Sequence, residues 1–354
     1  MGASRTFCDL RMTMIGHVEQ GRALRDAVVS GRVHHAWLLA GPRGVGKAAF
    51  AQAAATWLLA RAAGCGSRGG GVDDGDFAVD PDHPTARLLS AGSHIDFRRV
   101  QIQENPKTGK MRPGISVDQF VKSDTTIGEP LNSIFRTRPA LSEWRVIIID
   151  AVDDLNRNAA NAFLKHLEEP PPNTLFLAVS HSPGRLLPTI RSRCRTLRFQ
   201  PLANDEVDAV LAAELADTPL AAREALRDVA EGRPGRAVRL AAADVSGLRA
   251  ALDDLARATP AAASAGALTL ARALAAKTAT VRYDAFLDLV PAYLATAARG
   301  LTGNRLARAI DRWEQATSLA ASAVPLSLEP QSVAFRLAEL VADLSRIGQP
   351  HEIA

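Results

Sequence analysis

Between an apolar pentapeptide, AWLLA at 36–40, and the helix-forming stretch AAFAQAAATWLLAR at 48–61 lies a glycine-rich turn, GPRGVGKA at 41–48. Strand, turn and helix in that order leave few folds open. Glycines admit the backbone conformations that turn N–H groups inward, and a helix N-terminus adds partial positive charge at the same point. The turn fits the phosphate-loop pattern G-x-x-x-x-G-K except at the position after the lysine. On this reading Gly41, Gly44 and Gly46 present main-chain donors to a phosphate, and Lys47 neutralises β- and γ-oxygens. An ordinary glycine-rich βα turn is the plainer alternative. The strand before it and the helix after it favour the phosphate loop.

Further along, RVIIID (145–150) is a β-branched run ending in a carboxylate, as a buried parallel strand would. NRNAANAFLKHLEE (156–169) has a helical pattern, and Pro170, Pro171 and Pro172 stop it. TLFLAVS (174–180) and RTLRF (195–199) are further strands, so strands and helices alternate, which implies a parallel sheet flanked by helices. The stretches 62–84 and 104–114 are irregular, and ISVDQFVK after the second opens a helix. After Gln200-Pro201 the composition shifts to short Ala/Leu helices, interrupted at GRPG (232–235), and from about 245 the pattern is helical throughout. The last helix carries Phe335, Leu337, Leu340, Val341, Leu344 and Ile347 on an apolar face and ends at Gly348 and Pro350. Three domains are expected: α/β over 1–200, small helical over 201–244, larger helical over 245–354.

Composition narrows the function classes. Of 354 residues 47% are apolar and 23% charged, which rules out wholesale disorder. No uncharged stretch is long enough to span a bilayer, and the N-terminus has early charges and no apolar core of a signal peptide, so a cytoplasmic protein without membrane partners is expected. Cys8, Cys65 and Cys194 suit neither a disulfide framework nor a four-cysteine metal site. Forty-two basic residues against 38 acidic give +4, with 36 Arg to 6 Lys, and the signs are interspersed. That balance does not point to nucleic acid.

The departures from the phosphate-loop pattern carry most information. After the lysine an active site has Ser or Thr, whose hydroxyl ligates Mg²⁺; here it is Ala48. Asp150 ends its strand where an α/β sheet exposes ligands. The next residue, where a water-polarising Glu is expected, is Ala151, and Asp153 lies two positions further on. Two losses point to a phosphate-loop fold with little or no ATP hydrolysis. Arg193, in Ser192-Arg193-Cys194, stands in a loop before a strand, from where it could reach a neighbour's γ-phosphate. On spacing alone, solvated arginines are the better account of Arg191, Arg193, Arg195 and Arg198. Glu168 and Glu169 point about 100° apart on a helix and form no acid–base pair. His34, His35 and His166 lack triad spacing, and Cys194 reads as a packed apolar residue. The alanine-rich C-terminal helices suit partner helices better than a membrane surface.

Taken together, SGRVHHAWLLAGPRGVGKA and IIIDAVDDLNRNAANAFLKHLEEPPPNTLFLAVSHSPGRLLPTIRSRC resemble the bacterial DNA polymerase III clamp-loader subunits of the AAA+ class. The resemblance is dense over 15–60 and 140–200. It implies a P-loop domain with a parallel sheet, a helical lid and an all-α collar. Ala48 and Ala151 place the chain with the delta-prime kind rather than the gamma/tau motors. Where motors carry a lid arginine this chain has Gly235, with Arg236 one position off. The resemblance also implies that Arg193 is a finger acting in trans on an adjacent motor and that Ser180 stands at the sensor-1 position. Gamma/tau and delta subunits in a hetero-pentamer, the sliding clamp and primed DNA are the implied partners. No cofactor is required; ATP or ADP would bind weakly if at all, and the chain has no ATPase of its own although it belongs to a polymerase holoenzyme. Relatives carry a four-cysteine zinc module after the P-loop helix; this chain offers only Cys65 there, with His83 and His94 downstream, so no zinc is expected. The alternatives are a gamma/tau-type motor and a standalone AAA+ ATPase.

Overall fold

A computed structural model describes residues 15–63, 77–105, 109–122, 128–243, 245–276, 279–323 and 328–348. Its strands, in chain order, are β1 (Ala36–Ala40), β2 (Phe97–Gln101), β3 (Glu104–Asn105), β4 (Lys110–Met111), β5 (Arg145–Asp150), β6 (Thr174–Ser180) and β7 (Arg195–Arg198). Five of them form one parallel sheet in the order β2-β5-β6-β1-β7. All residues of β1 and β6 are buried, as unbroken apolar runs require of strands covered on both faces. The register sets Ala40 beside both Ser180 and Arg198, and Asp150 beside Val179. Because the strands are parallel, the ends of β1, β5 and β6 converge on one edge of the sheet.

The period of two sends alternate side chains to opposite faces. Leu39, Ile148 and Leu177 join a core with Phe50, Trp57 and Phe77, under α1 (Val18–Val29) and α2 (Lys47–Ala62). Leu38, Ile147, Ile149 and Phe176 face a second core with Phe120, Phe163 and Ile190. Further helices of this half are α3 (Pro84–Ser90), α4 (Leu131–Ile134), α5 (Arg157–Glu168), α6 (Pro188–Arg191), α7 (Asn204–Glu214) and α8 (Leu220–Ala230), and α9 (Pro234–Ala242) runs on from it into the second unit. Asn156 caps α5, its side chain accepting from the Ala159 N–H at 2.8 Å.

Two local expectations change. Glu104 and Asn105 pair with Met111 and Lys110 in a hairpin, with Gly109 at φ 63°, where an irregular stretch was expected. The helix expected at ISVDQFVK is one 3₁₀ turn, Val117–Gln119. There Arg112 and Ser116 bond the buried Asp118 carboxylate.

The chain divides into two compact units, up to Arg236 and from Ala237. The second is an all-helical bundle of α10 (Val245–Arg257), α11 (Pro260–Leu274), α12 (Thr280–Ala298), α13 (Gly303–Ala323) and α14 (Pro330–Gly348). α14 packs on each of the other four. Val333, Leu337, Leu340 and Val341 of α14 are buried, and Ala263, Ala267 and Ala271 repeat every fourth residue along the buried side of α11. Small residues at that spacing let neighbouring backbones approach closely. No helix among the described residues is long and apolar enough to cross a membrane.

Candidate nucleotide site and a projecting arginine

The glycine-rich turn leaves β1 at Gly41, whose N–H donates to the Ser180 carbonyl at 3.3 Å. Gly44 (φ 85°) and Gly46 (φ 108°) hold the left-handed backbone that L side chains resist. Lys47 opens α2, and its Nζ folds back to donate to the carbonyls of Gly41 and Pro42, both at 2.6 Å. Burial pushes its pKa down to about 8; Asp153 and Asp150 oppose that shift and Arg43 adds to it. Two other segments fasten the loop. His17 Nε2 donates to the Val45 carbonyl at 2.9 Å, with its ring edge-on to Phe199. The Gly235 N–H donates to the Gly44 carbonyl, also at 2.9 Å.

Asp150 and Asp153, on the acidic side of the site, each have partners from other segments. Asp150, at the end of β5, is ion-paired with Arg99 of β2 (Nη2 to Oδ2, 2.5 Å). Asp153 accepts from the Ser180 hydroxyl at 3.0 Å, the His181 N–H at 2.7 Å and the Ser182 N–H at 3.1 Å, stitching the exit of β5 to the end of β6. The Ser180 hydroxyl is thereby spent on Asp153. Burial, then repulsion from Lys47, pushes the His181 imidazole down to about 4, so it is neutral at pH 7.

A phosphate-loop fold implies a divalent cation, and the residues here do not fit one. Magnesium needs oxygen ligands in near-octahedral array. Ala48 offers no hydroxyl, Ala151 no carboxylate, Asp150 holds a guanidinium and Asp153 is filled by three donors. Among the described residues no group of three His, Cys, Asp or Glu could hold a metal. Cys65 lies outside the described residues. His83 caps α3 by accepting from the Thr85 N–H, and His94 accepts from the Asp96 N–H, each at 3.2 Å.

The structure therefore brings Gly41, Gly44, Gly46, Lys47, Asp150 and Ser180 to one edge of the sheet. Arg193 has other partners. It follows α6, with Nη2 3.0 Å from Glu168 Oε1 at the end of α5 and Nη1 donating to the Thr189 carbonyl at 3.1 Å. Its side chain is 37% exposed. Beside it, burial pushes the Cys194 thiol up to about 12, and the residue packs against the second core. Arg195 lies over the Trp37 ring. His35 Nε2 donates to the Leu167 carbonyl and His166 Nε2 bonds Asn132 Oδ1.

Sequence reasoning missed Arg99, His17 and His181. Arg99 sits in FRRVQ, a strand whose charges hide it, and its pairing with Asp150 depends on which strands are neighbours. His17 is a lone histidine before a helix, a pattern without a signal of its own.

The profile of the family described as DNA polymerase III, delta subunit matches residues 16–203. Over 208 residues the chain is 36% identical to the DNA polymerase III subunit delta' of Pseudomonas aeruginosa, covering 58% of this chain and 55% of that one. It is 31% identical to the subunit delta' of Bacillus subtilis (51% and 46% covered) and 29% identical to the subunit tau of Escherichia coli (57% and 27%). The matched part thus spans about half of either delta' relative and about a quarter of tau. Among solved structures, a DNA polymerase III gamma subunit-related protein from Thermotoga maritima overlaps 92% of this chain and 100% of its own, at 14% identity and a TM-score of 0.45. The RuvB Holliday junction branch migration motor of Thermotoga maritima overlaps 65% and 61%, at 18% identity and a TM-score of 0.37.

Proposed function

Because the chain belongs to the family described as DNA polymerase III, delta subunit, we propose that it is the delta-prime, non-hydrolysing member of a clamp loader. The observation that carries this reading is the state of its catalytic carboxylates. Asp150 is bound to Arg99, and Asp153, the nearest carboxylate that could stand in for the absent glutamate at Ala151, already accepts three hydrogen bonds. Asp150 therefore faces a fixed positive charge, and both oxygens of Asp153 are already hydrogen-bonded, so neither is poised to hold a metal or polarise a water. ATP or ADP binds weakly in the loop, without a required cofactor and without zinc.

In this reading Arg193 serves a neighbour. It stands at the rim of the α/β half, partly exposed and held by Glu168 and Thr189, so its guanidinium is positioned rather than waving in solvent. Presented to an adjacent gamma/tau subunit, it stabilises charge on the transferring γ-phosphate, an effect worth about 10³–10⁵-fold in rate for arginine fingers of GTPases. The α/β portion, the short helices after residue 200 and the C-terminal bundle act as ATPase-like base, lid and collar. The bundle joins those of gamma/tau and delta in a cytoplasmic hetero-pentamer that loads a sliding clamp on primed DNA.

Reconstitution with gamma/tau and delta subunits tests the reading. Arg193→Ala is expected to leave assembly intact and lower DNA-stimulated ATPase; unchanged ATPase would remove the finger. Steady Mg²⁺-dependent turnover by the isolated chain would instead make it a motor, and homo-hexamers on size exclusion would make it a standalone AAA+ protein.

A further inference from the structure

We infer that Arg99 is a built-in counter-cation that takes the place of a divalent metal at Asp150, so that any polyphosphate in the 41–47 loop is held metal-free. The inference rests on reading that loop as a nucleotide site, and it adds which residue sets the site's metal dependence.

The register explains how Arg99 arrives there. β2 runs parallel to β5 with Arg99 beside Ile148 and Gln101 beside Asp150. Residues two apart on a strand share a face, so Arg99 lies on the same face as Asp150, one pleat back. A long side chain reaches forward across that step and ends 2.5 Å from Asp150 Oδ2. Both partners are largely sheltered, at 27% and 17% exposure. The pair is a charge-assisted hydrogen bond out of bulk water, where such contacts are strongest.

A metal must compete for this carboxylate at about 2.0–2.1 Å, directly against a fixed positive charge. It would find little else to bind. The hydroxyl that would share it is absent at Ala48, and the Asp153 oxygens already accept from Ser180, His181 and Ser182. Lys47 acts on the same carboxylates from the loop. Arg99 thus provides in cis, permanently, the positive charge a metal provides on loan. The missing hydroxyl at 48 is consequently not the only lock on metal binding, and restoring it alone leaves the other closed.

The test titrates Mn²⁺ into the full-length chain with ADP, read by electron paramagnetic resonance. Wild type and Ala48→Thr are expected to hold no Mn²⁺ beyond that chelated by free nucleotide. Ala48→Thr with Arg99→Leu is expected to gain a protein-bound Mn²⁺ signal, at least tenfold tighter than either background. Arg99→Lys, which keeps the charge, is expected to exclude the metal when combined with the same Ala48→Thr substitution. Mn²⁺ bound by the wild type, or by Ala48→Thr as tightly as by the double variant, overturns the inference. So does a double variant that folds by circular dichroism and still excludes the metal. Should that variant not fold, Arg99→Gln on Ala48→Thr, which keeps the stem and removes the charge, takes its place under the same criteria. These readouts need neither partner subunits nor turnover. Failure of the clamp-loader reading would appear in assembly and ATPase, not here.

Discussion

Single residues decide what this site can do, and two of them make it sensitive to acid and to truncation. His181 is held near pKa 4 by burial and by Lys47, against an ordinary value of 6.5. The unfolded chain takes up a proton below 6.5 that the folded chain refuses until about 4, so His181 destabilises the fold progressively as pH falls through that window. His181→Gln is expected to flatten the decline in thermal midpoint between pH 6.5 and 4 relative to wild type. Asp153→Asn keeps one acceptor oxygen but puts an amide N–H₂ against the main-chain donors of His181 or Ser182. Urea denaturation is expected to show a loss of about 1 kcal/mol, the lower end of the cost of an unmade donor because these donors are only partly buried. The strand–turn–helix at 36–62, with its glycines and Lys47, was legible because the spacing along the chain is itself the signal. The roles of Asp153 and Arg99 were not, since their partners come from other strands and only the strand order brings them together.

At the level of elements, the sequence pattern served the interior better than the edge. β1, β5 and β6 are unbroken apolar runs because helices cover both their faces, and such runs are visible without a structure. β2 is an edge strand, FRRVQ, and its half-exposed residues carry charge, so apolar pattern does not reveal it. The β3–β4 hairpin is two residues a side and sets no periodicity at all. Where elements meet, a missing side chain can matter as much as a present one. A Cβ at Gly41 would collide with the Phe199 carbonyl, at the point where the Phe199 N–H bonds Ala40 (2.8 Å) and closes β7 onto β1. Gly41→Ala is expected to force β7 outward and cost about 1–3 kcal/mol in chemical denaturation, as over-packing does.

For the whole molecule, several of the arginines stand in local ion pairs. Arg99–Asp150, Arg112–Asp118, Arg193–Glu168, Arg227–Asp208 and Arg312–Asp343 each set a guanidinium against a specific carboxylate. The two compact units have separate cores, one around the sheet and one around α14. Leu337→Ala, at a fully buried position of α14, is expected to cost about 2–5 kcal/mol in the bundle's own transition. The fluorescence change of Trp37 and Trp57, both buried in the sheet core, should keep its midpoint in the same titration; a shared shift would show the two units unfolding as one. The hydrogen bond from Gly235 to Gly44 has a different kind of consequence. The chain leaves the glycine-rich loop, lays down the rest of the sheet and two further helices, and returns to the loop it left, where main chain clasps main chain. The fastening leaves no room for a side chain at either end: a Cβ at Gly235 would lie 3.1 Å from the Gly44 carbonyl oxygen. The amide proton of Gly235 therefore works as a remote gauge of the loop: its exchange with deuterated solvent slows or quickens with the loop's shape, through a contact that any ligand entering there must either respect or break.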